Sequence, residues 1–423
     1  MNDRKRSAPA PRTPLHAFEG FGIELEYMIV ENPSLDVAPI SDQLIHDVAG
    51  EYCAEVELGE TAWSNELVLH VIELKTNGPA PTLATLPSLF QRDIERINVM
   101  LTRYGARLMP GAAHPWMDPL RETRLWPHEY DAIYAAYDRI FGCQGHGWSN
   151  LQSVHINLPF ANDDEFVRLH AAIRLVLPLL PALAASSPFL DGRATGRLDS
   201  RLEAYRHNAR RIPSITGLVV PEPVHSQADY HRIVLEPMYA AIAPHDPDGI
   251  LQHEWLNSRG AIARFDRNAI EIRVLDIQEC PQMDLAIAAA TVGLVRALYD
   301  GRTVDTDTQL AVPTETLAEL LLAATDSAEQ AHVTDRALLR CLGWDGPPVT
   351  LQVLWRHLLS SLIDLPDGEW LHSLWHILDH GPLARRLLAA TGPEPDRARL
   401  LRVYGALCDC LAQGRAFPAH GSW

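Results

Sequence analysis

No Cys-x-x-Cys pair occurs in this chain. Its six cysteines, at 53, 143, 280, 341, 408 and 410, lie far apart except for Cys408-Asp409-Cys410. That spacing excludes a zinc ribbon or a thioredoxin-type redox centre and points to a reduced, cytoplasmic protein. Long apolar runs are also missing: the longest, Leu175 to Ala185, carries Pro178 and Pro181 and is too short to cross a bilayer. Basic residues are outnumbered, 36 Lys and Arg against 54 Asp and Glu for a formal net charge of −18. This balance argues against a nucleic-acid backbone or an anionic membrane as partner. The run Gly142-Cys143-Gln144-Gly145-His146-Gly147 has no Gly-Lys-Ser and adjoins no βαβ pattern, so neither a P-loop nor a dinucleotide fold follows. We read it as a mobile loop at the rim of a site. Cys143 is expected to be structural, because nearness in sequence to His146 and His155 is not the geometry of a thiolate-imidazolium pair.

What the chain does have is alternation. In Phe21-Gly22-Ile23-Glu24-Leu25-Glu26-Tyr27-Met28-Ile29-Val30 the residues Phe21, Ile23, Leu25, Tyr27 and Ile29 share one face of a strand, with Glu24 and Glu26 on the other. At roughly 3.3 Å rise per residue the two acids stand about 7 Å apart. Two such carboxylates raise each other's pKa unless a cation sits between them, and hard divalent cations prefer carboxylate oxygens. The plainer alternative is a solvated outer face. A second segment, Asn268 to Leu275, puts Ile270, Ile272 and Val274 on one side and Glu271 with Arg273 on the other. Ser153 to Leu158 buries Val154, Ile156 and Leu158 and turns Ser153, His155 and Asn157 away, while a strand within Leu67 to Thr76 carries Glu73. Each segment alone has an ordinary explanation, an exposed ion pair being worth at most about 1 kcal/mol. Four strands with a common face of acids, a histidine and an arginine suggest a metal platform beside a phosphate-binding guanidinium.

These residues resemble the carboxylate-amine ligases of glutamate-cysteine ligase family 2, which share the catalytic fold of glutamine synthetase. The resemblance runs through Gly22-Ile23-Glu24-Leu25-Glu26, Ile72-Glu73-Leu74-Lys75-Thr76, Gln152-Ser153-Val154-His155, Ser187-Pro188-Phe189 with Gly192 to Gly196, Arg264-Phe265 and Ile270-Glu271-Ile272-Arg273. It implies an α+β fold with a curved, mostly antiparallel sheet, a polar catalytic face, helices on the other face and a C-terminal helical annex. It implies ATP with Mg2+ or Mn2+ held by Glu24, Glu26, Glu66, Glu73, His155 and Glu271. Arg273 and Arg264 would bind the transferred phosphoryl group, Glu271 would act beside them, and Gln152 would contact the nucleotide. Arg201 and Arg193 are the candidates for the α-carboxylate of glutamate. Glu66 stands seven residues before Glu73, on the opposite face of a regular strand unless it precedes the strand or a bulge intervenes; the resemblance puts an acid there. The implied reaction is γ-glutamyl amide formation from glutamate and an amine, cysteine or another. The alternatives are a related ligase using a different acid or amine, and a non-catalytic nucleotide- or metal-binding protein of the same fold. The expected partners are small molecules, and homo-oligomerisation is left open.

The expected organisation is a disordered tail over 1–16, a catalytic core over 17–301 and a helical annex over 302–423, with helices Glu315–Thr325, Leu351–Leu362, Trp370–His380 and Arg397–Ala412. Asp163 or Asp164 should cap a helix that ends or kinks at Pro178. His372, His376 and His380 form a stripe that we read as the polar face and C-terminus of a helix rather than a metal site.

Overall fold

Period-two alternation in the sequence becomes one large sheet. The computed structural model describes residues 14–365, 368–392 and 394–419, so the tail expected over 1–16 lies outside them except for its last three residues. The sheet's strands are β1 (Gly22–Glu31), β2 (Glu55–Glu57), β3 (Thr61–Asn65), β4 (Val71–Thr76), β5 (Ala106–Met109), β6 (Ser153–Pro159), β7 (Ala261–Arg264) and β8 (Ala269–Asp276). Their order is β2-β3-β4-β1-β6-β8-β7, with β5 paired to the second half of β1. All of these pairings are antiparallel. Phe21, expected inside the first strand, forms only an isolated bridge with Ala80 ahead of it. The strand expected within 67–76 starts at Val71, because Leu67 to His70 make the turn from β3.

Ile23, Leu25, Tyr27 and Ile29 of β1 are fully buried. They share a hydrophobic core with Phe90, Ile94 and Ile97 of α1 (Leu86–Leu101) and with Phe166, Leu169 and Ile173 of α2 (Asp163–Val176). Each such side chain contributes about 1.5–3 kcal/mol by leaving water. The cap of α2 is Asn162 rather than Asp163 or Asp164: its side chain accepts the Glu165 N–H at 3.0 Å, while both aspartates already lie in the first turn, where their charge favours the helix dipole. The helix stops at Val176 and tightens into a 3₁₀ turn over Leu177–Leu179 at Pro178, which lacks the N–H an α-helix needs. On the polar side lies α3 (Ser200–Asn208), and α4 (Pro281–Tyr299) joins the core under the apolar side.

The C-terminal region forms α5 (Thr314–Ser327), α6 (Leu351–Ser361), α7 (Gly368–His380), α8 (Leu383–Thr391) and α9 (Arg397–Gln413). Its last two helices correct the simple picture of one apolar and one polar face. Met28 and Val30, on the same side of β1 as Glu24 and Glu26, are buried against Leu383 and Leu387 of α8 and Val403, Tyr404 and Leu407 of α9. Only the first half of that face is polar.

Strand β8 carries a bulge. Ile272 pairs with Ile156 and Leu275 with Val154, so Arg273 and Val274 together stand opposite His155. The Gly260 carbonyl accepts the Arg273 N–H at 3.0 Å, and a Cβ at 260 would sit 2.5 Å from Val274 Cγ1. Only glycine lets the chain pass there.

Candidate active site

The register of the sheet brings the polar residues into rows: Glu24 lies opposite His155, Glu26 opposite Glu73, and Glu271 opposite Asn157. Gly22 makes this approach possible, since a Cβ there would lie 2.8 Å from that of Asn157. Glu66 follows β3 in the connection to β4, so strand parity does not apply to it. All six proposed ligands line one cavity of about 430 Å³, together with Arg201, Arg264 and Arg273. Two sets of ligand atoms, from Glu24, Glu73 and His155 and from Glu26, Glu66 and Glu73, each lie within 4.8 Å of one another. No other such group occurs among the described residues, the stripe on α7 included.

Hydrogen bonds fix these side chains from beneath. Ser153 donates its N–H and its hydroxyl to Glu26 Oε2 at 2.7 and 3.0 Å. Ser64 donates to Glu73 Oε1 at 2.6 Å and Asn157 to Glu24 Oε1 at 3.1 Å. Burial raises the Glu66 carboxyl well above its ordinary value, and the charges of Glu26, Glu73 and Glu24 raise it further. Burial and the Glu24 charge push Glu73 up to about 7. A cluster of acids that must hold protons at neutral pH is chemically suited to divalent cations, which would replace those protons. Glu271 differs: burial lifts it, but Arg273, His155 and Arg264 hold it down at about 2. It accepts from Arg273 Nε at 3.0 Å and from Arg264 Nη1 at 3.3 Å, so one carboxylate orients two guanidinium groups at the cavity.

The remaining candidates separate. Arg201 is buried in the cavity wall with Nε 2.5 Å from Asp276 Oδ1, and both Nη atoms lie 3.5 Å from the Arg273 carbonyl oxygen. Arg193 is exposed on a short hairpin and does not line the cavity. Gln152 does not line it either: its side chain is fully buried, because it precedes Ser153 and strand alternation turns it the other way. Cys143 is buried, and burial pushes its thiol up to about 12, which suits a structural residue. Gly147 and Trp148 put the glycine-containing loop at the cavity. Sequence reasoning missed Lys75, whose Nζ lies 3.3 Å from Glu73 Oε1 and 2.6 Å from Glu55 Oε2. Its spacing of two from Glu73 was the available signal. It also missed Tyr134, Tyr137, Tyr205 and Trp255, which come to the cavity from outside the sheet and have no strand pattern to reveal them.

Comparison with known proteins decides the family. The profile of glutamate-cysteine ligase family 2 matches residues 20–404. The chain belongs to that family. Glutamate-cysteine ligase family 2 consists of ATP-dependent carboxylate-amine ligases, whose chemistry goes with nucleotide and divalent-metal binding. A protein of Archaeoglobus fulgidus without an assigned function is 36% identical over 284 residues, covering 67% of this chain and 76% of its own length. A provisionally named glutamate-cysteine ligase 2 of Bradyrhizobium sp. (strain ORS 278) is 27% identical, covering 66% of this chain and 62% of its own. The chain thus spans less than two thirds of that relative. Among solved structures, the bifunctional glutathione synthetase of Pasteurella multocida gives a TM-score of 0.58 at 14% identity, covering 94% of this chain and 53% of that one. The glutamate-cysteine ligase of Francisella tularensis, solved with AMP, gives 0.55 at 13% identity, covering 96% and 91%. At these identities the likeness is one of fold, and it agrees with the antiparallel sheet and its helices. No helix among the described residues is long and apolar enough to cross a membrane.

Proposed function

We propose that this protein is an ATP- and Mg2+-dependent ligase that phosphorylates the γ-carboxylate of glutamate and joins it to an amine, giving a γ-glutamyl amide, ADP and phosphate. The observation that carries this reading is the shared cavity, in which Glu24, Glu26, Glu66, Glu73 and His155 face Arg264 and Arg273 across Glu271. The acids and His155 would hold Mg2+ or Mn2+, which supplies charge neutralisation for phosphoryl transfer. Arg273 and Arg264, oriented by Glu271, would hold the transferred group. Arg201, its Nε fixed by Asp276, would exchange the long contacts of its Nη atoms with the Arg273 carbonyl for the α-carboxylate of glutamate, an interaction that favours a bidentate fork.

The electron bookkeeping is simple. A γ-carboxylate oxygen of glutamate attacks the γ-phosphorus, and the bond to the bridging oxygen breaks with ADP taking the electron pair. The amine nitrogen then attacks the acyl carbon, the C–O bond to phosphate breaks with phosphate taking the pair, and the nitrogen's proton passes to water. Positioning and fixed charges carry most of such catalysis.

The test is to supply ATP, Mg2+, glutamate and hydroxylamine together and to read both products. γ-Glutamyl hydroxamate with ADP is expected. Hydroxamate with AMP would mean adenylation instead, and ADP without hydroxamate would mean a different acid. Equal phosphate release in EDTA would remove the metal from the reading.

A further inference from the structure

One wall of the cavity is aromatic. Tyr134, Tyr137, Trp148, Tyr205 and Trp255 all line it, and the rings pack on one another. Tyr137 lies with its centroid 5.1 Å from Trp148 and 6.0 Å from Trp255, and Phe141 stacks behind Trp148 at 5.6 Å. The wall adjoins the reacting groups at both ends. The Tyr134 hydroxyl accepts from Asn65 Nδ2 at 2.9 Å, next to Glu66 in the chain, and Tyr137 feels the Arg273 charge. An adenine base is separated from its γ-phosphate by the length of a triphosphate, so a surface beside Arg273 and the metal acids suits the amine better than the base.

The buried cations of the cavity are already engaged, and the exposed Arg267 is not. Lys75 pairs with Glu55 and Glu73, and Arg264 and Arg273 with Glu271, whereas Arg267 lies 3.8 Å from its neighbour Asp266. Arg201, held at Nε by Asp276, has only the 3.5 Å contacts of its two Nη atoms with the Arg273 carbonyl oxygen to give up for the carboxylate of glutamate. The buried pairs are thus committed to the acids and, in the reading above, to the transferred phosphoryl group, which leaves a second carboxylate only the exposed Arg267. Rings, by contrast, offer broad apolar contact and favourable edge or face packing beyond simple burial.

From this juxtaposition we infer that the acceptor is a primary amine with an aromatic body, seated on the wall of Tyr137, Trp148 and Trp255. The inference rests on the ligase reading above and narrows its acceptor away from cysteine. The test uses the full chain with ATP, Mg2+ and glutamate, and compares 2-phenylethylamine, ethylamine and cysteine by ADP release and product mass. A kcat/KM for 2-phenylethylamine at least about tenfold above both others is expected, since a tenfold preference is only about 1.4 kcal/mol. Trp148→Ala and, separately, Trp255→Ala should each raise the KM for 2-phenylethylamine several-fold and leave the KM values for ATP and glutamate unchanged. Cysteine as the best acceptor, or ethylamine equal to 2-phenylethylamine, overturns the inference while leaving the ligase intact. A raised KM for ATP in both variants puts adenine on the wall and overturns it too. Failure of the glutamate-hydroxylamine control sinks the ligase reading itself and the acceptor pocket with it.

Discussion

His155 Nδ1 lies 2.8 Å from Glu24 Oε2, directly across the β1–β6 register. The other ring nitrogen lies 2.9 Å from Ser153 Oγ, whose hydroxyl donates to Glu26. One imidazole therefore links both acids of the Glu-Leu-Glu strand. Burial opposes its charge, but the Glu24 hydrogen bond and the Glu26 and Glu24 charges raise it to about 9. Without metal, His155 serves as the cation of the platform.

Metal-free protein should lose stability as the pH rises above neutral, and Mg2+ should oppose the loss. Glu73, raised to about 7 from 4.5, keeps its proton in the folded state where the unfolded chain has released it, so its contribution falls through that window. His155, raised to about 9 from 6.5, contributes fully below 6.5 and loses its share as the pH passes about 9; both effects have the same sign. Below about pH 6.5 the buried His70, His114 and His170, whose protons burial disfavours, act with the opposite sign, so melting temperatures in EDTA should fall between about pH 7 and about pH 9, and the gain from Mg2+ should be larger at about pH 8 than at about pH 6, because binding releases protons. Glu73→Gln should flatten the lower part of the profile. An Mg2+ effect independent of pH would contradict this account.

Glu271→Gln and Arg273→Ala should each lower turnover by about 100-fold or more, on the order of 2.7 kcal/mol of transition-state stabilisation. The basis is the pairing that points Arg273 and Arg264 into the cavity from one carboxylate. Circular dichroism should show the fold retained. Wild-type turnover in both variants would take the pair out of the site.

Leu407→Ala on α9 should destabilise the protein by about 2–5 kcal/mol, the usual cost of an interior leucine. Leu407 is fully buried in the cluster that covers Met28 and Val30 of β1. Urea unfolding should show a lower midpoint in a single transition. An unchanged midpoint would mean that α9 does not hold that half of the strand.

The strands and their acids were legible because alternation and a buried face leave a clear period in Ile23, Leu25 and Tyr27 or Ile270, Ile272 and Val274. Four annex helices, α5, α6, α7 and α9, were legible from their leucine spacing to within a few residues, whereas α8 was not expected. Three things were not. Met28 and Val30 read as neutral alternation, since nothing local says that α8 and α9 will cover them. Arg193 and Arg201 looked equivalent in sequence, and only the fold puts Asp276 beside one and leaves the other on a hairpin. The aromatic wall is assembled from 134, 137, 148, 205 and 255, positions that share no period and meet only through tertiary packing.

The bulge in β8 also sets the phase of the strand. Counting by twos from Glu271 and Arg273 would turn Leu275 toward the cavity and Asp276 away from it. The extra residue resets the count: Val274 and Leu275 are both buried, and Asp276 stands opposite Ser153 on the polar side, where it reaches Arg201. In reading-frame terms, β8 has one codon whose loss would leave every other residue on its present face, that of Val274. Losing Ile272 instead would exchange the two faces of the strand beyond the gap unless the bulge closed to absorb it. The same doubling makes the tightest contact on residue 260, so a strand without Val274 would leave a side chain there to meet Val219 alone, whose Cγ1 lies 3.1 Å from the Cβ position.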